Sequence, residues 1–357
     1  MRLHQNRHEV HNLYVLGAGA SRAISTGNKD KKLAPLDKEF CSEIKKIIAP
    51  RWAEEAARRV EADFIHHSVF AKTGLEEMVC QQLSDLSFID SIWRRAKNGK
   101  RRPDQFLEDV VHVIAHRLKS CKAKKEEDLS LFLGKTFKGD QEKNNKNRII
   151  TFNYDTIIDD ILLQRFSPQQ LYFDNIVQPE GQSEGEKYPI LIKLHGSINW
   201  RCQKSEYSKI FDTPKRLKKS PTKTYNTKNC HHIEDIRFDN SICKASADQL
   251  PLIIPPIPQK PITSVSIFRY LWSYAFEYLT EAQNIILVGY SLPPTDRLAV
   301  SLFSNFKNKK LNNLTIIDPN EKVLGRWIKL FKRVGVREHD VHYFQDFNEY
   351  ISRNLKG

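Results

Sequence analysis

Two short segments place side chains suited to proton transfer directly after apolar runs. Arg148–Phe152 leads into Asn153-Tyr154-Asp155, and Ile190–Leu194 leads into His195-Gly196-Ser197. A neutral imidazole takes up a proton near pH 7, and an asparagine amide orients a water or hydroxyl without adding charge. Each pattern also has a plain structural explanation. A histidine after an apolar strand is more often a hydrogen-bonded structural residue, and Asn near Asp is ordinary turn chemistry.

A third segment, Leu13–Leu16, enters the small-residue turn Gly17-Ala18-Gly19-Ala20-Ser21. Such a turn lets backbone approach a pyrophosphate, while the N–H groups of a following helix supply partial positive charge. The dinucleotide pattern is incomplete, because Arg22 stands where a third glycine belongs. No acidic residue follows in a second strand about 20 residues on. Gly289-Tyr290-Ser291 follows the run Asn284–Val288, and Asp318-Pro319-Asn320 follows Asn313–Ile317. Asp318 suits a ribose hydroxyl, although the same tripeptide also makes a turn and helix cap.

These residues need a common edge, and the elements between them supply one. The runs Asn12–Leu16, Arg148–Phe152, Ile190–Leu194, Leu252–Ile254, Asn284–Val288 and Asn313–Ile317 are nearly continuous Val, Ile and Leu. Strands without alternation suit a parallel sheet covered on both faces. Helical spacing recurs between them at Phe40, Ile44, Ile47 and Ile48, and at Phe106, Val110, Val111, Ile114 and Leu118. It returns in Ile267–Leu279, Arg297–Phe306 and Val323–Val334. The alternation predicts a doubly wound α/β domain, whose ligands bind beyond the carboxyl ends of the strands.

Two stretches interrupt the alternation, so residues 1–357 are expected to form one catalytic domain with two insertions. Pro35–Leu133 reads as almost all helix and is too long for a crossover. Arg201 to Leu250 lacks apolar periodicity, and nine Lys or Arg stand against two acids between Arg201 and Cys230. That segment is expected to be a basic, partly flexible insertion that contacts a polyanion or an acidic partner surface. The whole chain carries 57 Lys and Arg against 43 acids, a formal charge of +14. Such a surface attracts nucleic acid or phosphate-rich ligands, but it says nothing of fold. The six cysteines form no Cys-x-x-Cys pair and suit reduced thiols. There is no apolar run of the roughly 18 residues that a membrane helix needs, and no apolar leader at the N-terminus. A cytoplasmic protein without membrane contact is expected.

The segments GAGAS (17–21), TFNYD (151–155), KLHGS (193–197) and GYSLPPTD (289–296), in this order, resemble the signature set of the sirtuin superfamily. They look closest to its sirtuin-like NADase branch, found in bacterial antiphage defence systems. The resemblance covers the α/β core and implies a Rossmann-like fold with NAD⁺ as substrate. It implies that Gly17, Ala18, Gly19 and Ser21 line the pyrophosphate and nicotinamide ribose. Gly289 and Ser291 would contact phosphate and adenosine ribose, with Asp318 nearby. Asn153 would position the attacking water, His195 would be the general base, and Asp155 would hold the nicotinamide carboxamide.

Deacylating sirtuins carry two Cys-x-x-Cys pairs on a zinc module after the His-Gly motif. This region has only Cys202, Cys230 and Cys243 with His231 and His232, so no metal is expected. Phe152 and Tyr154 also replace the glutamine and aliphatic residue common in that branch. Water is then the expected acceptor, making the chain an NAD⁺ glycohydrolase that depletes NAD⁺. A protein deacylase or ADP-ribosyltransferase is one alternative. A non-catalytic module that senses NAD⁺ or ADP-ribose, or binds nucleic acid, is another. The resemblance further implies a homo-oligomer or a complex with a HerA-type ATPase. The helical insertion, with Trp52, Phe64, Val69, Phe70, Phe88, Ile92 and Trp93 to bury, is expected to mediate assembly and control activity. A lid over the NAD⁺ site is the competing role for that insertion.

Overall fold

The computed structural model describes residues 9–25, 103–123, 128–137, 146–173, 189–211, 237–238, 248–257, 265–293, 296–337 and 340–354. It also describes 34, 39, 55–60, 75, 77–79, 81–83, 260 and 262. The strands are β1 Val10–Leu16, β2 Arg148–Thr151, β3 Leu191–Lys193, β4 Gly196–Gln203, β5 Arg237–Phe238, β6 Gln249–Ile253, β7 Ala282–Val288, β8 Asn313–Ile317 and β9 Val341–Phe344. The α-helices are α1 Ala18–Ile24, α2 Pro103–Lys119, α3 Asp128–Thr136, α4 Ile157–Leu162, α5 Lys204–Phe211, α6 Ser266–Glu281, α7 Arg297–Asn305, α8 Glu321–Arg333 and α9 Phe347–Asn354, and Gln169–Phe173 forms a π-helical turn.

Six strands form one parallel sheet in the order β3-β2-β1-β7-β8-β9. Counting only these six, that is 3-2-1-4-5-6, the doubly wound Rossmann-like order. Leu13 through Leu16 and Ile285 through Val288 are buried in unbroken runs. Helices therefore cover both faces of the sheet, and the expected α/β class holds. The order reverses between β1 and β7, which opens the crevice where such sheets take ligands.

At the amino edge the register is keyed by side chains. Asn12 lies opposite Asn284, which lies opposite Asn313. The Asn313 amide donates to Asn284 at 2.9 Å, Asn284 to Asn12 at 3.0 Å, and Asn12 to Asn147 at 2.9 Å. The chain of amides runs in one direction across the sheet.

Two expectations change. Leu252–Ile254 does not join the parallel sheet that its apolar run suggests. Its strand, β6, instead pairs antiparallel with β4 in a second sheet of order β5-β4-β6. A short apolar run reports burial, not its partner. The segment expected as a basic loop from Arg201 starts inside β4, with Arg201 and Cys202 buried. It continues as α5, where Tyr207 and Ile210 are buried. Most of its lysines, at 215–228, lie outside the described residues.

Within the expected helical insertion, α2 packs on β4 and β6, while α3 packs on α4. Phe106, Val110, Val111, Ile114 and Leu118 of α2 are all buried, as their spacing requires. The Phe40–Ile48 pattern and Trp52, Phe64, Val69, Phe70, Phe88, Ile92 and Trp93 lie outside the described residues, Ile44 among them. Among the described residues no helix is long and apolar enough to cross a membrane.

Candidate active site at the carboxyl edge of the sheet

The last paired residues of the six strands form one row. Leu16 pairs with Thr151 and Val288, Thr151 with Lys193, Val288 with Ile317, and Ile317 with Phe344. Every candidate residue follows one member of this row, so all lie along the same edge. Asn153 and His195 each stand two positions past the paired residues Thr151 and Lys193.

The glycine turns meet at the switch point. Gly17 N–H donates to Val288 at 3.0 Å, and Gly19 N–H donates to the Gly289 carbonyl at 3.0 Å. A Cβ on Gly17 would lie 2.4 Å from the Gly289 oxygen, and one on Gly289 would lie 2.4 Å from Ala20 N. These glycines are thus required by backbone packing of one turn on the other. Approach to a pyrophosphate, the reason expected from sequence, is not needed to explain them. The second turn also holds Leu292 at φ 47°, a left-handed conformation rare outside glycine and concentrated at functional turns. Ser291 beside it is exposed.

Asn153 ties the first turn to β2. Its Nδ2 donates to the Gly17 carbonyl and to Ser21 Oγ, each at 2.8 Å. A carbonyl only accepts, so the nitrogen assignment is fixed and both amide protons are used. Oδ1 is the atom left for a ligand. Ser21 Oγ bonds in turn to Asp155, whose Oδ1 also accepts from Ile157 N–H at 3.0 Å. Burial pushes the Asp155 carboxyl above its ordinary value, against the pull of the Lys193 ammonium. Its carboxylate therefore already serves the turn before α4.

His195 sits at the joint between the sheets. Leu194 N–H donates to Thr151 at 3.0 Å, and the His195 carbonyl accepts from Ile254 N–H at 2.8 Å. Gly196 then turns into β4 at φ 81°, where a Cβ would lie 2.1 Å from the Leu252 oxygen. Trp272 Nε1 donates to the Leu194 carbonyl at 2.9 Å, and Phe152, Tyr154 and Trp272 surround the imidazole. The ring donates to the Phe152 carbonyl, while Nε2 has no hydrogen-bond partner among the described residues. The donating atom is therefore Nδ1, and Nε2 carries the lone pair.

Complete burial and the nearby Lys260 ammonium depress this imidazole to about 3, although Asp296 and the Phe152 bond oppose them. The sequence expectation of a group titrating near neutrality is corrected: the ring is neutral at pH 7 with a wide margin. Its contact with Asp296 at 3.5 Å is accordingly no ion pair there. The unfolded chain takes up this proton near 6.5 and the folded chain does not, so stability falls as pH drops from about 6.5 toward 3. Between pH 7 and 5 the expected loss from this group is about 2 kcal/mol. Urea unfolding at both pH values tests this, and His195→Gln should lose that part of the acid sensitivity. An identical pH dependence in the two proteins would contradict it.

Sequence reasoning missed the buried charges behind these residues. Lys193 is fully buried and bonds to Asp159 Oδ2 at 2.8 Å and to the Asp155 carbonyl. Tyr172 donates to the other Asp159 oxygen, and Asn199 to Tyr172 at 3.3 Å. Asp296 caps α7 and pairs with Lys260 at 2.9 Å. The visible signal was a lysine within each of two apolar segments, since buried lysines need partners. Asp318 lies one strand past β7, and its Oδ1 accepts from Asn320 N–H at 2.9 Å in a turn before α8. Burial raises its carboxyl.

Among the described residues no group of three or more His, Cys, Asp or Glu could hold a metal. Cys230, His231, His232 and Cys243 lie outside them. Cys121 and Cys202 are buried free thiols.

No protein-family model and no curated protein matches the chain. Among solved structures, it is similar to a Sir2 in complex with an inhibitor, 2′-O-acetyl-ADP-ribose and a deacetylated peptide. That similarity has 12% identity and a TM-score of 0.33, over 97% of this chain and 93% of the other.

Proposed function

We propose that the protein hydrolyses NAD⁺ to nicotinamide and ADP-ribose. The observation that carries this reading is a buried imidazole with Nδ1 committed and Nε2 unpartnered, in register with an amide whose Oδ1 is left for a ligand. Both stand beside the switch point of a doubly wound sheet, where dinucleotides bind. The order of the four strand-end motifs supports the choice of NAD⁺.

In this reaction the C1′–N bond breaks, its electron pair neutralises the pyridinium, and water adds to C1′. Asn153 Oδ1 orients that water or the neighbouring ribose hydroxyl, and His195 Nε2 receives the proton released. Nicotinamide departs neutral and needs no acid, so a weak base serves, holding the proton only until solvent takes it. The aromatic side chains around His195 exclude bulk water. Ser21, Gly289, Ser291 and Asp318 line the rest of the dinucleotide path, while Gly17, Gly19 and Asp155 act by shaping its walls.

The motif resemblance further supports antiphage defence by NAD⁺ depletion in the cytoplasm, through a homo-oligomer or with a HerA-type ATPase. The charge of the basic insertion supports a polyanion contact. Purified protein incubated with NAD⁺ alone should release nicotinamide and ADP-ribose in equal amounts. Release that depends on an acyl-lysine peptide would replace this reading with a deacylase. No release under either condition, with NAD⁺ bound, would make the chain a sensor.

A further inference from the structure

The outer surface of α7 and α8 carries charge that neither the sheet nor the proposed hydrolysis uses. From residue 297 to residue 337 the chain has ten Lys or Arg and two acids, Asp318 and Glu321. The two helices meet through their apolar faces, with Phe303 against Trp327 and Phe306 against Phe331 at ring distances of 4.9 and 5.8 Å. On the outer side of α8, Lys322, Arg326, Lys329 and Arg333 recur at steps of four, three and four. They therefore share one face over about 16 Å, with Arg326 half-buried and the other three exposed. On α7, Arg297, Ser301 and Asn305 are exposed at steps of four, and exposed Lys307 and Lys309 follow. Folding does not explain the α8 row. Like charges three or four positions apart on a helix oppose each other. Lys322 also stands in the first turn, the end of the helix dipole that disfavours a cation.

A partner of opposite charge relieves both effects, and the make-up of the face narrows which one. A membrane surface needs apolar side chains to insert, and no large hydrophobic of α7 or α8 is exposed. A protein interface needs an aromatic or aliphatic anchor at its centre and is depleted in lysine. A nucleic-acid backbone needs only spaced cations and hydrogen-bond donors. Phe303, Phe306, Trp327 and Phe331 are all buried, so no ring is left for splayed bases to stack on, and the fit is to a duplex. We propose that the outer face of α7 and α8 binds the phosphate backbone of a nucleic-acid duplex without reading its bases. This surface is separate from the basic insertion and does not depend on the NAD⁺ reading.

The test is fluorescence anisotropy of a labelled DNA duplex of about 20 base pairs, and of an RNA duplex of the same sequence, across roughly 50 to 200 mM salt. Wild type is compared with the triple variant Lys322→Gln, Lys329→Gln, Arg333→Gln. A control, Lys122→Gln, Lys135→Gln, Arg353→Gln, removes three exposed cations elsewhere, two of them on α3 and α9. Wild type should bind with a steep salt slope and with affinities within about threefold for two unrelated sequences, the tighter duplex marking the natural source. The α8 variant should lose about 3 from the magnitude of that slope and bind about 10²-fold more weakly at the lowest salt. The control should keep the wild-type slope. Should the triple variant not fold, each of its three single variants should lose about 1 from the slope. Equal losses in the α8 variant and the control would reduce the effect to net charge and overturn the surface. An unchanged slope in the α8 variant, as when the basic insertion alone holds the duplex, would overturn it too. So would failure of wild type to bind either duplex at the lowest salt.

Discussion

Asn153→Ala and His195→Ala should each lower NAD⁺ hydrolysis by about 10²-fold or more, the usual effect of losing a positioned base or orienting group. The two losses differ in their structural side effects. His195→Ala removes a ring held by the Phe152 carbonyl and surrounded by aromatic side chains, with no hydrogen bond at Nε2. Asn153→Ala also releases the Gly17 carbonyl and Ser21 Oγ, so a stability loss of about 1–2 kcal/mol should accompany it. Nicotinamide release at limiting and saturating NAD⁺, with circular dichroism on the same samples, separates the effects. Full activity in either folded variant would end the catalytic assignment.

Gly289→Ala should be among the most damaging single substitutions for the fold. Alanine at φ 57° costs about 1–2 kcal/mol by itself. Its methyl would also lie 2.4 Å from Ala20 N and 2.6 Å from the Gly19 carbonyl carbon, and backbone cannot swing aside as a side chain can. The two turns must part, losing the Gly19 N–H bond to Gly289. A total cost of about 4 kcal/mol or more is expected, read as a lower urea midpoint. Gly325→Ala is the control, because nothing lies within 4 Å of that position in α8. There alanine should stabilise by about 0.5–1 kcal/mol. A Gly289→Ala variant that unfolds with the wild-type midpoint would refute the interlocked turns.

The carboxyl-edge residues were legible because each follows an apolar run that ends at one paired row. A strand end fixes where its next residues lie, even when sequence does not say which strand is beside it. For the same reason the sheet that holds β6 is not legible: Leu252–Ile254 shows burial but not the antiparallel pairing with β4. The partner strand β4 is hidden because Ser197, Asn199 and Arg201 interrupt its apolar residues, yet all three are buried. Edge strand β9 is hidden by polar His342 among partly exposed residues. The Lys260–Asp296 pair is out of reach for a different reason. Its partners are 36 residues apart and belong to no common motif, so only the folded backbone brings them together.

The asparagine row at the amino edge bears on the chemistry at the opposite end. A strand advances about 3.3 Å per residue, and a slip of one position also turns every side chain to the other face. Such a slip in β7 would carry Gly289 off the Gly17 turn, and the crevice at the switch point would not close. Continuous Val, Ile and Leu discriminate poorly between adjacent registers, since each offset buries similar apolar surface. The amides of Asn12, Asn284 and Asn313 do discriminate, because each pairs only with its neighbour at the same height. They work like the notch on a key, fixing at one margin the alignment that the two interlocked turns need at the other.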